Sequence, residues 1–110
     1  MKKIVYNKLI RDNILEIIEK SNKTASYKII HDSEEVHKLL LQKLREEMDE
    51  VLGATSQEEL FEELADVLEV VYRIAQVNGL EVEQLEKIRC AKREKRGGFE
   101  KNIFLESVEG

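Results

Sequence analysis

Apolar positions recur every three to four residues over most of this chain, a period that predicts helices. A first helix is expected from about Lys8 to Lys20, where Ile10, Ile14, Ile17 and Ile18 fall at helical spacing. Asp32 followed by Glu35 marks the start of a second, running to about Leu52 and stopped at Gly53. Ser56 with Glu59 forms a clearer capping box for a third, which continues through Val77 and ends at Asn78-Gly79. The fourth takes Glu81 to about Arg96 and breaks at Gly97-Gly98. One stretch departs from this period. Thr24-Ala25-Ser26-Tyr27-Lys28-Ile29-Ile30 is rich in strand formers and reads as a strand or extended arm. The tail from Asn102 to Val108 alternates loosely enough to pair with it. The expected architecture is mainly α, with about four helices in an antiparallel bundle and room for a small two-stranded appendage.

Composition narrows the class. At 110 residues the chain is expected to form a single domain over residues 1–110. Charged residues make up 37% and apolar ones 42%, which fits helices with broad solvated faces. Proline is absent and there are five glycines, so little interrupts long helices. A net charge of −5 argues against a nucleic-acid polymer as partner. Cys90 is the one cysteine, so no disulfide can form within the chain, and a half-buried packing role is expected for it. The first eight residues, Met1 to Lys8, lack the apolar run of a signal peptide, and no stretch is apolar enough to span a bilayer. Cytoplasm is the expected location, with no membrane partner.

Four carboxylates change the picture. Glu47 and Glu50 stand three apart, as do Glu63 and Asp66, so each pair shares one side of its helix, a turn apart. Around the second helix Glu47 falls between Val36 and Leu40, and Glu50 between Leu39 and Val36. On the third, Glu63 falls between Val70 and Ile74, and Asp66 at the edge beside Val77. The plainer account of acidic residues in so charged a chain is a solvated face, and Glu58, Glu59, Glu62 and Glu69 fit it. The two pairs fit it poorly, because a carboxylate on an apolar face is costly to desolvate alone. Two such pairs facing each other call for a cation, and hard oxygen ligands suit magnesium, with manganese as the second choice.

The sequence Glu47-Met48-Asp49-Glu50-Val51, followed by Glu63-Leu64-Ala65-Asp66-Val67-Leu68, resembles the paired E-x-x-E and E-x-x-D motif of the all-α nucleoside triphosphate pyrophosphatases. That group includes the MazG-like enzymes and phosphoribosyl-ATP pyrophosphohydrolase. The segments Tyr6-Asn7-Lys8-Leu9-Ile10-Arg11-Asp12 and Lys92-Arg93-Glu94-Lys95-Arg96-Gly97-Gly98-Phe99 are similar to a small, stand-alone MazG-like subgroup. The resemblance therefore covers nearly the whole chain. One departure is Ile14-Leu15, where that subgroup usually has Ile-Pro. The resemblance implies hydrolysis of a nucleoside triphosphate to a monophosphate and pyrophosphate, with damaged or non-standard nucleotides as candidate substrates. It implies metal ligation by Glu47, Glu50, Glu63 and Asp66, with Glu46 or Glu47 orienting or deprotonating the attacking water.

Basic residues are the counterpart. Lys87, Arg89, Lys92, Arg93, Lys95 and Arg96 crowd the end of the fourth helix, where dipole compensation explains most of them. Lys95 and Arg96, just before two glycines, are the better phosphate candidates; Lys92, Lys8 and Arg11 share the similar segments. His31 and His37 have no sequence partner and are read as surface or capping residues. Tyr72, Phe61 and Phe99 are read as core or interface, with one of them available to stack on a base. The third helix is apolar over a wide arc that includes Leu60, Leu64, Val67, Leu68, Val71 and Ile74. Four short helices leave that arc partly uncovered, so a homodimer or homotetramer is expected. Two rival readings remain: phosphoribosyl-ATP pyrophosphohydrolase itself, from which the Tyr6 to Asp12 segment points away, and a non-catalytic helical adaptor.

Overall fold

The computed structural model describes residues 2–110, so Met1 of the leader reading lies outside it. Four helices follow in order: α1 (Ile14–Lys20), α2 (Ser33–Leu52), α3 (Gln57–Val77) and α4 (Val82–Arg96). Among the described residues there is no strand, so the fold is all-α. The segment from Thr24 to Ile30 and the tail from Asn102 to Val108 have no regular structure and no strand partner among the described residues, which corrects the expected two-stranded appendage. Strand formers make a strand only when a second backbone satisfies their N–H and C=O groups. No helix is long and apolar enough to cross a membrane among the described residues.

Local chemistry sets the helix ends. α1 begins at Ile14, six residues later than its periodicity suggested, because Asn7 lies at φ 47° and Asn13 is the N-cap. At its other end Asn22 lies at φ 61°, and backbone N–H groups of Asn22 and Lys23 donate to Glu19 and Ile18. Asp32 caps α2 by backbone geometry alone, without the side-chain bond expected of a capping box. The box at α3 is half formed. The Ser56 hydroxyl accepts from the Glu59 N–H at 3.1 Å, while the Glu59 carboxylate accepts from Thr55 Oγ1. α3 ends in a Schellman turn: Leu80 N–H donates to Ala75 O, Gly79 N–H donates to Gln76 O, and Gly79 sits at φ 83°. Gln84 accepts the Glu81 N–H at 2.9 Å to open α4.

α2 and α3 form an antiparallel hairpin that carries the core. Leu40 and Val70 are its buried apolar residues, and Glu47 is buried among them. His37, near the start of α2, shares a 3.0 Å hydrogen bond with Asn78 at the end of α3. α4 touches only α3, and its exposed Cys90 corrects the half-buried placement expected of it. The chain is elongated, 64 × 35 × 25 Å, with a radius of gyration of 18.5 Å. A compact chain of this length has about 13 Å. Large apolar side chains lie open along the hairpin, among them Leu41 and Met48 on α2 and Phe61, Leu64 and Leu68 on α3.

Candidate active site

The α2/α3 hairpin turns helical spacing into a convergence of acids. Because the helices run antiparallel, Glu47 on α2 comes opposite Glu63 and Asp66 on α3. One carboxylate oxygen from each of these three lies within 4.8 Å of the others. Glu47 is only 9% exposed, while Glu63 and Asp66 are half-buried. Glu50, the fourth acid of the motif, is exposed and lies outside that set. Its charge still reaches Glu63. Partial desolvation, and then the charges of Asp66, Glu50, Glu47 and Glu59, push the Glu63 carboxyl above its ordinary range.

This donor set fits a hard divalent cation. Magnesium–oxygen bonds of about 2.1 Å place opposite ligand oxygens about 4.2 Å apart. The three oxygens lie within 4.8 Å of one another, close enough to converge on one such cation. The like-charge strain on Glu63 is what such a cation would relieve.

Three cations border the acids. Lys8 Nζ donates to Glu46 at 2.8 Å, and Arg11 Nη2 donates to Asp66 at 2.5 Å while its Nη1 lies 3.7 Å from Glu69. The N-terminal segment thus lies across the hairpin at the acidic cluster. Lys43 is the third, 3.5 Å from both Glu46 and Glu47, with a side chain only 16% exposed. Sequence reasoning missed Lys43. Its signal was there: it stands four residues before Glu47 and three before Glu46, within reach on one helix face. The hydrogen bond from Lys8 holds Glu46 below the ordinary carboxylate range, with Lys43 adding to the effect. While that bond is in place the Glu46 carboxylate is a weaker base than an ordinary glutamate.

The Lys8–Glu46 pair predicts a pH signature. Lys8 is raised by the same bond. The pair's stability is therefore fully present between the ordinary Glu and Lys values. It is lost as pH falls through the lowered Glu46 value or rises through the raised Lys8 value. Both side chains are about a third exposed, so the contribution is below about 1 kcal/mol. A Lys8→Met variant should melt below native protein near pH 7, with the gap closing as pH falls below the ordinary Glu range and as it rises above the ordinary Lys range. A gap independent of pH would show that packing, not charge, is lost.

The other candidates lie elsewhere. Lys92, Lys95 and Arg96 are exposed at the end of α4, and among the described residues none forms an ion pair with the cluster. Arg93 beside them pairs with Glu100 at 2.5 Å. Gly97, at φ 83°, ends the helix there. Tyr72 is half-buried, whereas Phe61 and Phe99 are exposed, Phe99 almost completely. His37 bonds to Asn78 and His31 is exposed, so neither joins the acids.

Compared with known proteins, residues 7–91 match the phosphoribosyl-ATP pyrophosphohydrolase family. That span contains the whole α2/α3 hairpin and all three bordering cations. No curated protein and no solved structure matches the chain.

Proposed function

The chain belongs to the phosphoribosyl-ATP pyrophosphohydrolase family, and from that premise we propose that it splits a nucleoside triphosphate between its α and β phosphates. Family membership makes it a pyrophosphohydrolase acting on a nucleotide. The observation that supports triphosphate cleavage is the meeting of Glu47, Glu63 and Asp66 beside Lys8, Arg11 and Lys43. Carboxylates alone would repel a polyphosphate; with a cation and basic neighbours they can hold one.

In the proposed mechanism Glu47, Glu63 and Asp66 would hold magnesium, or manganese in its place, with Glu50 beside them. When bound, the cation neutralises the polyphosphate and stabilises charge that develops at the phosphorus being attacked. Arg11 and Lys8 leave their carboxylate partners to contact phosphate oxygens, exchanging one charge-assisted bond for another. Glu47, or Glu46 once Lys8 has turned to phosphate, orients or deprotonates the attacking water. The cytoplasm, where nucleotides and magnesium are plentiful, is the proposed location.

A second copy of the chain is part of this reading. Phe61, Leu64 and Leu68 recur at helical spacing and stay 44–57% exposed along α3. An isologous contact through that stripe would give a homodimer, or a homotetramer if α4 also packs. It also offers Lys92, Lys95 and Arg96 a route to a neighbouring copy's phosphates.

The family match keeps phosphoribosyl-ATP as a second substrate reading, since the same acids would serve it. Phosphorus NMR on a panel of ordinary and modified nucleoside triphosphates, plus phosphoribosyl-ATP, with magnesium separates the two. Pyrophosphate and a nucleoside monophosphate are expected from the preferred triphosphate. Turnover confined to phosphoribosyl-ATP would move the assignment there. Orthophosphate with a diphosphate would mean attack at the γ phosphate and overturn both.

A further inference from the structure

The acidic cluster accounts for the phosphates of a nucleotide but leaves its base unread. Next to it, between the N-terminal segment and α2, lies a cleft of about 350 Å³. That falls within the roughly 300–1,000 Å³ of small-molecule sites. Leu9 and Leu39, both half-buried, supply its apolar lining. Asn7 and Gln42 bring two exposed amides, each able to donate and accept. Tyr6 adds a ring that is 67% exposed, with Lys8 Nζ 5.6 Å from its centre.

Charge decides what such a cleft accepts. Its two cations, Lys8 and Lys43, are both within ion-pair distance of Glu46, and Lys43 also of Glu47. With Glu47 counted behind Lys43, two cations face two carboxylates, so the cleft carries little net charge and is no trap for a bare anion. Exposed amides and an aromatic face suit a planar, uncharged group with hydrogen-bonding edges. A nucleobase is such a group: amide side chains match its edges and aromatic rings stack on its face. Position agrees with chemistry. Glu46 lines the cleft, Glu47 belongs to the acidic cluster, and Lys43 stands within 3.5 Å of both. A base in the cleft would have its phosphates beside the carboxylates.

We propose that this cleft is the nucleobase site, with Tyr6 as the stacking surface and Asn7 and Gln42 reading the base edge. The proposal rests on the nucleotide reading above, but its test needs neither metal nor turnover. The native chain is titrated, metal-free, with each of the four common ribonucleoside monophosphates and with ribose 5-phosphate. The side-chain amide signals of Asn7 and Gln42 are followed by ¹H–¹⁵N NMR. At least one nucleotide should shift both amides, and ribose 5-phosphate should shift neither. Gln42→Leu and Tyr6→Ala should each weaken that nucleotide about tenfold or more. Three results would overturn the proposal: shifts confined to other residues or absent with all four nucleotides, equal shifts from ribose 5-phosphate, or native affinity in both variants. If a monophosphate docks here while no triphosphate is hydrolysed, the activity fails and the cleft stands. Hydrolysis without such docking shows the reverse.

Discussion

Asp66→Asn and Glu47→Gln should each lower turnover by at least about a hundredfold while leaving the helices intact. Losing a residue behind a metal ligand already costs about 10–100-fold, so losing a ligand should cost more. Glu47 is the stronger case, because it is buried and is the cluster's acid from α2. Stability should move the other way at Glu63. Its carboxyl is raised by partial desolvation and then by neighbouring carboxylates, so the charged form strains the metal-free fold. Stability linked to this group is present below the ordinary Glu value and lost as pH rises through the raised one. Glu63→Gln should therefore melt higher than native protein near pH 7 without metal, and the difference should vanish in acid. Magnesium reverses the order. A ligand at a hundredfold excess over its Kd adds about 2.7 kcal/mol to a native state that binds it. Native protein should gain several degrees and Glu63→Gln far less. Full activity in Asp66→Asn and Glu47→Gln would remove the proposed centre.

Leu68→Lys should break the proposed assembly into monomers. Leu68 lies with Phe61 and Leu64 on the uncovered stripe of α3. Burying a leucine stabilises by about 1.5–3 kcal/mol, and a two-fold contact counts each residue twice. Loss of about 3–6 kcal/mol weakens association more than a hundredfold, before the cost of burying two ammonium groups. Lys20→Gln, at an exposed end of α1, serves as the control. Light scattering at micromolar concentration should show native and control proteins as dimers or larger and Leu68→Lys as monomer. A monomeric native protein with full activity would contradict the assembly.

α2, α3 and α4 were readable to within a residue or two because Ser56, Gly53, Asn78-Gly79 and Gly97 punctuate them locally. The convergence of Glu47, Glu63 and Asp66 followed from i, i+3 spacing on two helices joined by a short turn. Features set by distant partners were harder to read. The isoleucines of the first segment promised a helix from Lys8, but Lys8 and Arg11 are drawn to Glu46 and Asp66, 38 and 55 residues away. The arm from Thr24 to Ile30 has strand composition and no partner backbone among the described residues. Lys43 went unnoticed because a lone lysine on a charged helix looks solvated until its neighbours bury it.

Manganese binding, followed by electron paramagnetic resonance, tests the centre most directly. Free manganese gives a strong six-line signal that binding broadens away. Native protein should remove that signal in proportion to its concentration, and the triple variant Glu47→Gln, Glu63→Gln, Asp66→Asn should leave it unchanged. Equal removal by both proteins would place the metal elsewhere and contradict the account.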